Sequence, residues 1–219
     1  MELKGKRINF LGDSITEGHG TTCKAKCFVS LLKDQLELAE SRNYGIGGTR
    51  FAVQQKPSEN EIWDRNFCSR VAGMEPDADV VVVFGGTNDF GHGDAPLGCM
   101  TDRTPDTFYG ACHTLMSSLI EKYPEAAIVV LTPLHRCNED NLRGDGFKAQ
   151  DVAPLVTYVD IIKEVARWYS LPVLDLFASS GLQPRVPVIQ EKYVPVGLHP
   201  NDAGHVILAD KIAAFLRAL

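Results

Sequence analysis

The sequence predicts an α/β fold, a three-layer α/β/α sandwich of the flavodoxin-like kind built on about five parallel strands. Two apolar runs, 79–84 and 126–131, are rich in branched residues, as expected of strands that are buried on both faces of a parallel sheet. Segments with apolar residues at helical spacing separate the strands. This alternation predicts right-handed βαβ crossovers and helices on both faces of one sheet. No linker or repeat interrupts it, so one domain is expected over residues 1–219.

The elements can be assigned in order along the chain. The predicted strands are 7–11, a short segment around 41–44, 79–84, 126–131 and 172–174. The predicted helices are an apolar stripe over 28–36, the segment 105–123, a long stripe over 155–169 and a final stripe over 208–219. Three long connections, 49–57, 85–104 and 132–150, follow strand ends. Because compact domains rarely keep long irregular loops without a use, we expect these loops to meet at the rim of a site.

Composition limits the classes of partner. The chain has 219 residues, a net charge of -6 and no cluster of lysine and arginine, which argues against nucleic acid or an anionic membrane surface as the main partner. No segment approaches the ~18 apolar residues of a membrane span, so no stable membrane insertion is expected. The first residues lack the pattern of a signal peptide, which favours a cytoplasmic location. A small molecule is the expected partner, and an oligomer is compatible with the sequence.

The cysteines indicate neither a disulfide framework nor a metal site. The six cysteines are scattered without C-x-x-C spacing, and the two that are four residues apart, Cys23 and Cys27, have no further ligands nearby. We therefore expect reduced, structural thiols, no metal and no cofactor.

The candidate nucleophile is Ser14. The segment 12–14, Gly-Asp-Ser, directly follows the first predicted strand, so the hydroxyl should stand at the carboxyl end of that strand, where open α/β sheets bind ligands. A serine acts as a nucleophile only with a base and with donors for the oxyanion.

His199 is the best placed of the six histidines to serve as the base. It lies in Gly197-Leu198-His199-Pro200-Asn201, a turn that enters the last helix and leaves the ring free to reach the rim. By contrast, His113 lies within a predicted helix and His205 in the first turn of the last one, where packing is the simpler interpretation.

Two glycine-rich turns could supply the oxyanion donors. Residues 45–48, Gly-Ile-Gly-Gly, allow a backbone N–H to approach a substrate closely, and 86–89, Gly-Thr-Asn-Asp, offer the side-chain amide of Asn88. Asp13 and Asp89 are most simply interpreted as acids that hold these turns by accepting backbone hydrogen bonds.

Four blocks carry a resemblance to the SGNH (GDSL-type) hydrolase family, in the family's order and over nearly the whole chain. The blocks are 12–14 (GDS), 43–48 (NYGIGG), 86–89 (GTND) and 197–201 (GLHPN). The resemblance implies Ser14 as nucleophile and His199 as base. It also implies an oxyanion hole made of the Gly48 N–H, the Asn88 side-chain amide and the Ser14 N–H.

The chain departs from the family pattern at position 196. The family commonly has an aspartate three residues before the histidine, which orients the imidazole; here Val196 stands there. In the serine-protease template, corrupting the orienting acid reduces kcat by about 10⁴. The Val196 carbonyl could replace it, or a distant carboxylate, Glu191 or Asp202, could reach the ring. We favour the carbonyl because it needs no rearrangement of the chain.

The rim residues favour a polar substrate. The candidate substrate contacts are Asp13, Arg50, Phe90, His92 and His135. This set is more polar than the lining of a long acyl tunnel would be. The sequence therefore predicts a GDSL-type serine esterase that acts on short-acyl, acetyl-like esters of a polar alcohol or carbohydrate through an acyl-enzyme on Ser14.

Other functions stay open on the same residues. Lysophospholipase, thioesterase or acyl-transfer activity could use the same site. A metal-dependent phosphoesterase would use Asp13, Asp89, His92 and His199, but paired ligand spacings are missing. A catalytically decayed, flavodoxin-like binding module would account for Val196.

Overall fold

The fold is organised around one five-stranded parallel sheet with the strand order β2-β1-β3-β4-β5. The computed structural model describes residues 1–219. The strands are β1 (Arg7–Gly12), β2 (Glu40–Gly45), β3 (Val80–Phe84), β4 (Ala127–Leu131) and β5 (Val173–Leu174). This is the order of flavodoxin-like sheets, so the predicted fold class is confirmed.

Helices cover both faces of the sheet. They are α1 (Ser14–Glu17), α2 (Phe28–Gln35), α3 (Phe67–Arg70), α4 (Thr87–His92), α5 (Phe108–Lys122), α6 (Leu155–Trp168), α7 (Leu176–Ser179), α8 (Pro187–Tyr193) and α9 (Asp202–Ala218). Successive strand residues point to opposite faces. Val81 and Val83 therefore join the apolar core with α5 and α6, whereas Val80 and Val82 join the core with α2 and α9. The result is three layers with two separate cores.

The strands follow from their sequences to different degrees. All five residues of β3 are buried, which explains the unbroken apolar run. The edge strand β2 is polar (ESRNYG) and has no fully buried residue, so its sequence predicts only a short segment. β2 pairs along its whole length with β1, from Arg7 opposite Glu40 to Gly12 opposite Gly45.

One predicted loop contains a helix. The connection 85–104 was expected to be irregular, but α4 begins directly after Gly86 and ends at His92. Gly91 inside it and Gly93 after it weaken the helical pattern, since glycine is a poor helix former. The other two long connections, 49–57 and 132–150, contain no regular element. Helix α5 begins at Phe108, later than predicted, because Thr107 caps it by accepting a hydrogen bond from the Gly110 N–H.

The chain order places one strand end at the point where a site forms. From β1 the chain passes to β2 on one side, and β3 then pairs with β1 on the other side. In open α/β sheets ligands bind outside the carboxyl ends of the strands at such a switch point. Ser14 follows β1 there. All six cysteines are free thiols. None of the helices has the length and apolar character of a membrane span.

Candidate active site

Ser14 stands at the first position of α1, directly after the turn that ends β1. Asp13 caps this helix, and its Oδ1 accepts a hydrogen bond from the Ile15 N–H at 3.0 Å. Position 12 needs glycine because a Cβ there would collide with the side chain of Thr16. The sharp turn leaves Ser14 only 6% exposed, at the carboxyl edge of the sheet.

His199 reaches Ser14 across 185 positions of sequence. Its Nε2 lies 2.8 Å from the Ser14 Oγ, within hydrogen-bonding distance. The turn that carries His199 is fixed on one side by Asn201, whose Oδ1 accepts the Gly204 N–H at 3.1 Å and caps α9. On the other side, the Cys137 N–H donates to the Gly197 carbonyl at 2.9 Å. The structure thus brings together the predicted nucleophile and base.

The surroundings of His199 favour its neutral form. Burial, with smaller contributions from His19 and Arg136, lowers the pKa of the His199 ring to about 4. A neutral imidazole at neutral pH can accept the proton of the Ser14 hydroxyl, as a general base requires.

None of the three candidate partners for the other face of His199 makes that contact. Asp202 binds Thr22 instead, accepting its N–H at 2.8 Å and its hydroxyl at 2.7 Å. Glu191 is exposed on α8, and Val196 is 71% exposed. Gly197, with a φ of +73°, donates to the Val194 carbonyl at 2.8 Å, and this tight turn directs Val196 outward. The favoured carbonyl and both carboxylates therefore gain no supporting contact, and His199 has no acidic partner.

The two candidate oxyanion donors lie next to each other. The Asn88 amide nitrogen donates one hydrogen to the carbonyl of Thr49 at 3.0 Å, which ties the start of α4 to the residue after Gly48. This is the one hydrogen bond that the Asn88 amide nitrogen makes within the protein. Gly48 has a φ of +76°, and a Cβ there would collide with the indole of Trp63. Only glycine fits this backbone beneath that ring.

Arg70 holds the backbone around the site, and sequence reasoning missed it because no motif marks this residue. Its guanidinium donates to the carbonyl of Tyr44 at 2.7 Å, to that of Gly12 at 3.0 Å and to the Thr49 hydroxyl at 3.1 Å. One side chain therefore joins the ends of β1 and β2 to the loop that follows Gly48. Burial lowers the pKa of Arg70 to about 10, so it stays charged at neutral pH.

Asp13 and Asp89 hold turns beneath the site. Asp89 accepts the N–H groups of Phe51 and Ala52 at 2.9 and 3.0 Å. Burial raises the pKa of Asp13 to about 7 and that of Asp89 to about 6. Asp13 is 2% exposed and its carboxylate is used in capping α1, so the structure offers it no open side towards a substrate.

Three other predicted substrate contacts are held by partners within the protein. Phe90 is fully buried in the core. Arg50 is 3% exposed and its guanidinium binds Asp64 at 2.7 Å. His135 pairs with Glu139 at 2.8 Å and packs on Phe177, with ring centroids 3.8 Å apart. Sequence spacing places these residues near the rim, but their side chains are used in contacts within the protein.

His92 is the predicted contact that lines open space. Its ring packs against Trp63 with centroids 4.5 Å apart, and Trp63 in turn covers Gly48. The other face of His92 borders a cavity of about 570 Å³. Of the 14 residues that line it, five are hydrophobic, and the polar ones include Gln55, Lys56 and Asp151. His92 thus lies between Trp63, which covers Gly48, and a cavity lined by both polar and apolar side chains.

Buried cations anchor the long connection 132–150. The Lys148 ammonium donates to the carbonyls of Asp89 at 2.9 Å and Gly93 at 2.5 Å, at the end of α4. Burial lowers the pKa of Lys148 to about 8. Arg136 donates to the Thr87 carbonyl at 3.3 Å at the start of the same helix. A lysine and an arginine in a loop suggest solvent exposure, so sequence reasoning missed both anchors.

The fold and the four blocks at its carboxyl edge define a class of protein. Residues 10–207 match the GDSL-like lipase/acylhydrolase family, and the chain belongs to that family.

Individual relatives agree with this assignment. A GDSL lipase of Mycobacterium tuberculosis is 29% identical over 144 residues, which are 65% of this chain and 52% of that protein. The match therefore spans about half the length of that curated relative. A crystal structure of a protein from Lactobacillus plantarum is 30% identical, covers 99% of this chain and 98% of its own, and superposes with a TM-score of 0.82. A two-domain esterase active on acetylated mannans shares the fold at 22% identity and a TM-score of 0.62, over 97% of this chain and 49% of its own.

Proposed function

We propose that this protein is a serine ester hydrolase that cleaves short-acyl, acetyl-like esters of a polar alcohol or carbohydrate. The observation that carries the proposal is the 2.8 Å contact between the Ser14 Oγ and the His199 Nε2. Family membership supports acyl hydrolysis as the class of reaction.

The proposed reaction has two halves. The Ser14 Oγ attacks the ester carbonyl carbon while His199 Nε2 takes the hydroxyl proton, and the carbonyl oxygen becomes an oxyanion. The Gly48 N–H, the Asn88 amide and the Ser14 N–H would donate to this oxygen. The intermediate then expels the alcohol, which takes the proton from His199, and an acyl-enzyme remains. Water attacks the acyl carbon while His199 takes its proton, and the second intermediate then expels the Ser14 Oγ, which recovers this proton from His199 as the acid leaves.

The walls of the site support a small acyl group and a polar alcohol. Trp63 covers Gly48, which leaves little room for a long chain beside the oxyanion donors. The cavity beyond His92 is lined by both apolar and polar side chains, and the polar ones, among them Gln55, Lys56 and Asp151, could bind the hydroxyl groups of a leaving group. The shared fold with an esterase active on acetylated mannans is compatible with such a substrate.

A panel of substrates tests this proposal. We expect turnover of p-nitrophenyl acetate to exceed that of longer p-nitrophenyl esters, and acetylated sugars to release acetate. A flat profile, or one that rises with chain length, would contradict the short-acyl assignment and favour lysophospholipase or thioesterase activity. Product analysis with an added alcohol acceptor would reveal acyl transfer.

The catalytic assignment is tested separately. Ser14→Ala should abolish turnover and prevent labelling by an organophosphonate, and parent activity should survive EDTA. A matched control is Ser180→Ala. Ser180 is also buried, but it lies far from Ser14 in the sequence, and its Oγ accepts a hydrogen bond from the Leu182 N–H. Unchanged turnover in Ser14→Ala would refute the assignment, loss in EDTA would indicate a metal-dependent phosphoesterase, and no turnover or labelling of the parent would favour a binding module.

A further inference from the structure

His199 has no acidic partner. Two side chains at the end of α1, Glu17 and His19, lie nearby. Helix α1 ends at Glu17, and Gly18, with a φ of +104°, turns the chain back. The His19 N–H then donates to the carbonyl of Ser14 itself at 2.8 Å. The turn after α1 is therefore fixed directly to the candidate nucleophile.

Glu17 holds the loop that carries the candidate oxyanion donor. Its Oε2 accepts the Gly47 N–H at 2.6 Å, one residue before Gly48. The same oxygen lies 3.3 Å from the Nε2 of His19. Because the Gly47 peptide is anchored by a carboxylate, the next peptide is restricted in orientation, and its N–H is the one that would meet the oxyanion.

His19 touches both the loop and the base. A Cβ at Gly47 would lie only 3.1 Å from the His19 Cε1, so the ring lies directly against this glycine. The centroids of the His19 and His199 rings are 5.5 Å apart with a tilt of 50°. Gly20, the next residue, packs so closely on His199 and Pro200 that a Cβ would collide with the Pro200 carbonyl. Residues 19–20 thus form a wall that limits the movement of His199.

We propose that Glu17 and His19 are positioning residues. Glu17 fixes the Gly47 peptide in the loop 45–48, which carries the candidate oxyanion donor. The His19 ring limits the movement of His199, whose orientation no acid at position 196 can set. This inference rests on the proposed function. In this arrangement the orientation of His199 is set by packing against His19 rather than by an ion pair. One short segment after the nucleophile then sets the geometry of both the donor and the base.

Conservative variants separate this role from general stability. Glu17→Ala removes the acceptor, and we expect kcat to fall about 10- to 100-fold with KM little changed. Glu17→Gln keeps an acceptor for the Gly47 N–H and should retain kcat within about threefold of the parent. His19→Ala should lower kcat by about 10- to 100-fold because the base is free to move. His19→Phe keeps an aromatic ring and should restore most of the loss.

The matched control is Glu37→Ala. Glu37 is also an exposed acid in an ion pair, with Lys4 at 2.6 Å, but it lies after α2 and has no contact with the site. We expect unchanged kcat in this variant. Parent-like kcat in Glu17→Ala and His19→Ala would overturn the proposal, as would losses that follow the melting temperature across all variants. Turnover that persists in Ser14→Ala would instead refute the proposed function, whatever Glu17 and His19 do.

Discussion

Replacement of Asn88 by alanine should have two effects that can be measured separately, one on kcat and one on the free energy of unfolding. In Asn88→Ala the donor proposed for the oxyanion is lost, and the Thr49 carbonyl, which accepts from the same amide at 3.0 Å, loses its partner. Removal of one oxyanion donor lowers kcat by about 10²–10³. Because this contact would form only in the transition state, KM should stay within about twofold.

The structural part of the change has its own magnitude. Asn88 is 6% exposed, so the Thr49 carbonyl is left in a largely dry environment. An unsatisfied buried group costs about 1–3 kcal/mol of unfolding free energy. For a chain of this size, each kcal/mol lowers the melting temperature by about 2–4 °C. The variant should therefore remain folded at room temperature, with a measurably lower melting point.

The assay pairs p-nitrophenyl acetate kinetics with thermal melting, and Asn9→Ala serves as the control. Asn9 is a fully buried amide that donates to the Glu75 carbonyl at 2.8 Å, towards the other end of the sheet. We expect the control to lose stability with parent-like kcat. If Asn88→Ala keeps kcat within about threefold of the parent, the oxyanion reasoning fails.

Two further outcomes follow from the site. Because burial, His19 and Arg136 lower the pKa of His199 to about 4, the base should stay neutral on mild acidification and take up a proton only below about pH 5; an NMR titration of the His199 ring with a midpoint near 6.5 would contradict this. Gly48→Ala places a Cβ at a φ of +76° against Trp63, so kcat should fall by at least about tenfold; parent-like kinetics with an unshifted tryptophan fluorescence spectrum would contradict the contact.

Much of the fold follows from local patterns. The run 80–84 predicts a buried central strand because every residue is apolar and four are valine. The stripe over 155–169 predicts α6 because its buried residues recur at helical spacing. Helix α4 escaped prediction since its ends are set by the sheet edge and by Arg136 and Lys148, partners that are distant in sequence.

The candidate site divides in the same way. The four blocks identify Ser14 and His199, because residue type and order suffice to select them. The positions of the side chains around these two residues could not be predicted from the sequence. Asp202 binds Thr22 instead of His199, and Phe90 lies in the core. The contacts of these side chains depend on groups that are distant in sequence and close in the folded structure. The single-domain organisation and the residue roles stay predictions.

Because Ser14 and His199 are 185 positions apart in sequence, the two side chains are not synthesised together. Ser14 is synthesised 185 residues before His199, its proposed base, which lies just before α9. Helix α9 also packs on α2, close to the start of the chain, within one apolar core. A nascent chain that has not yet reached residue 199 has a serine hydroxyl without the proposed base. In the proposed mechanism, esterase activity therefore reports that the segments around residues 14 and 199 have come together.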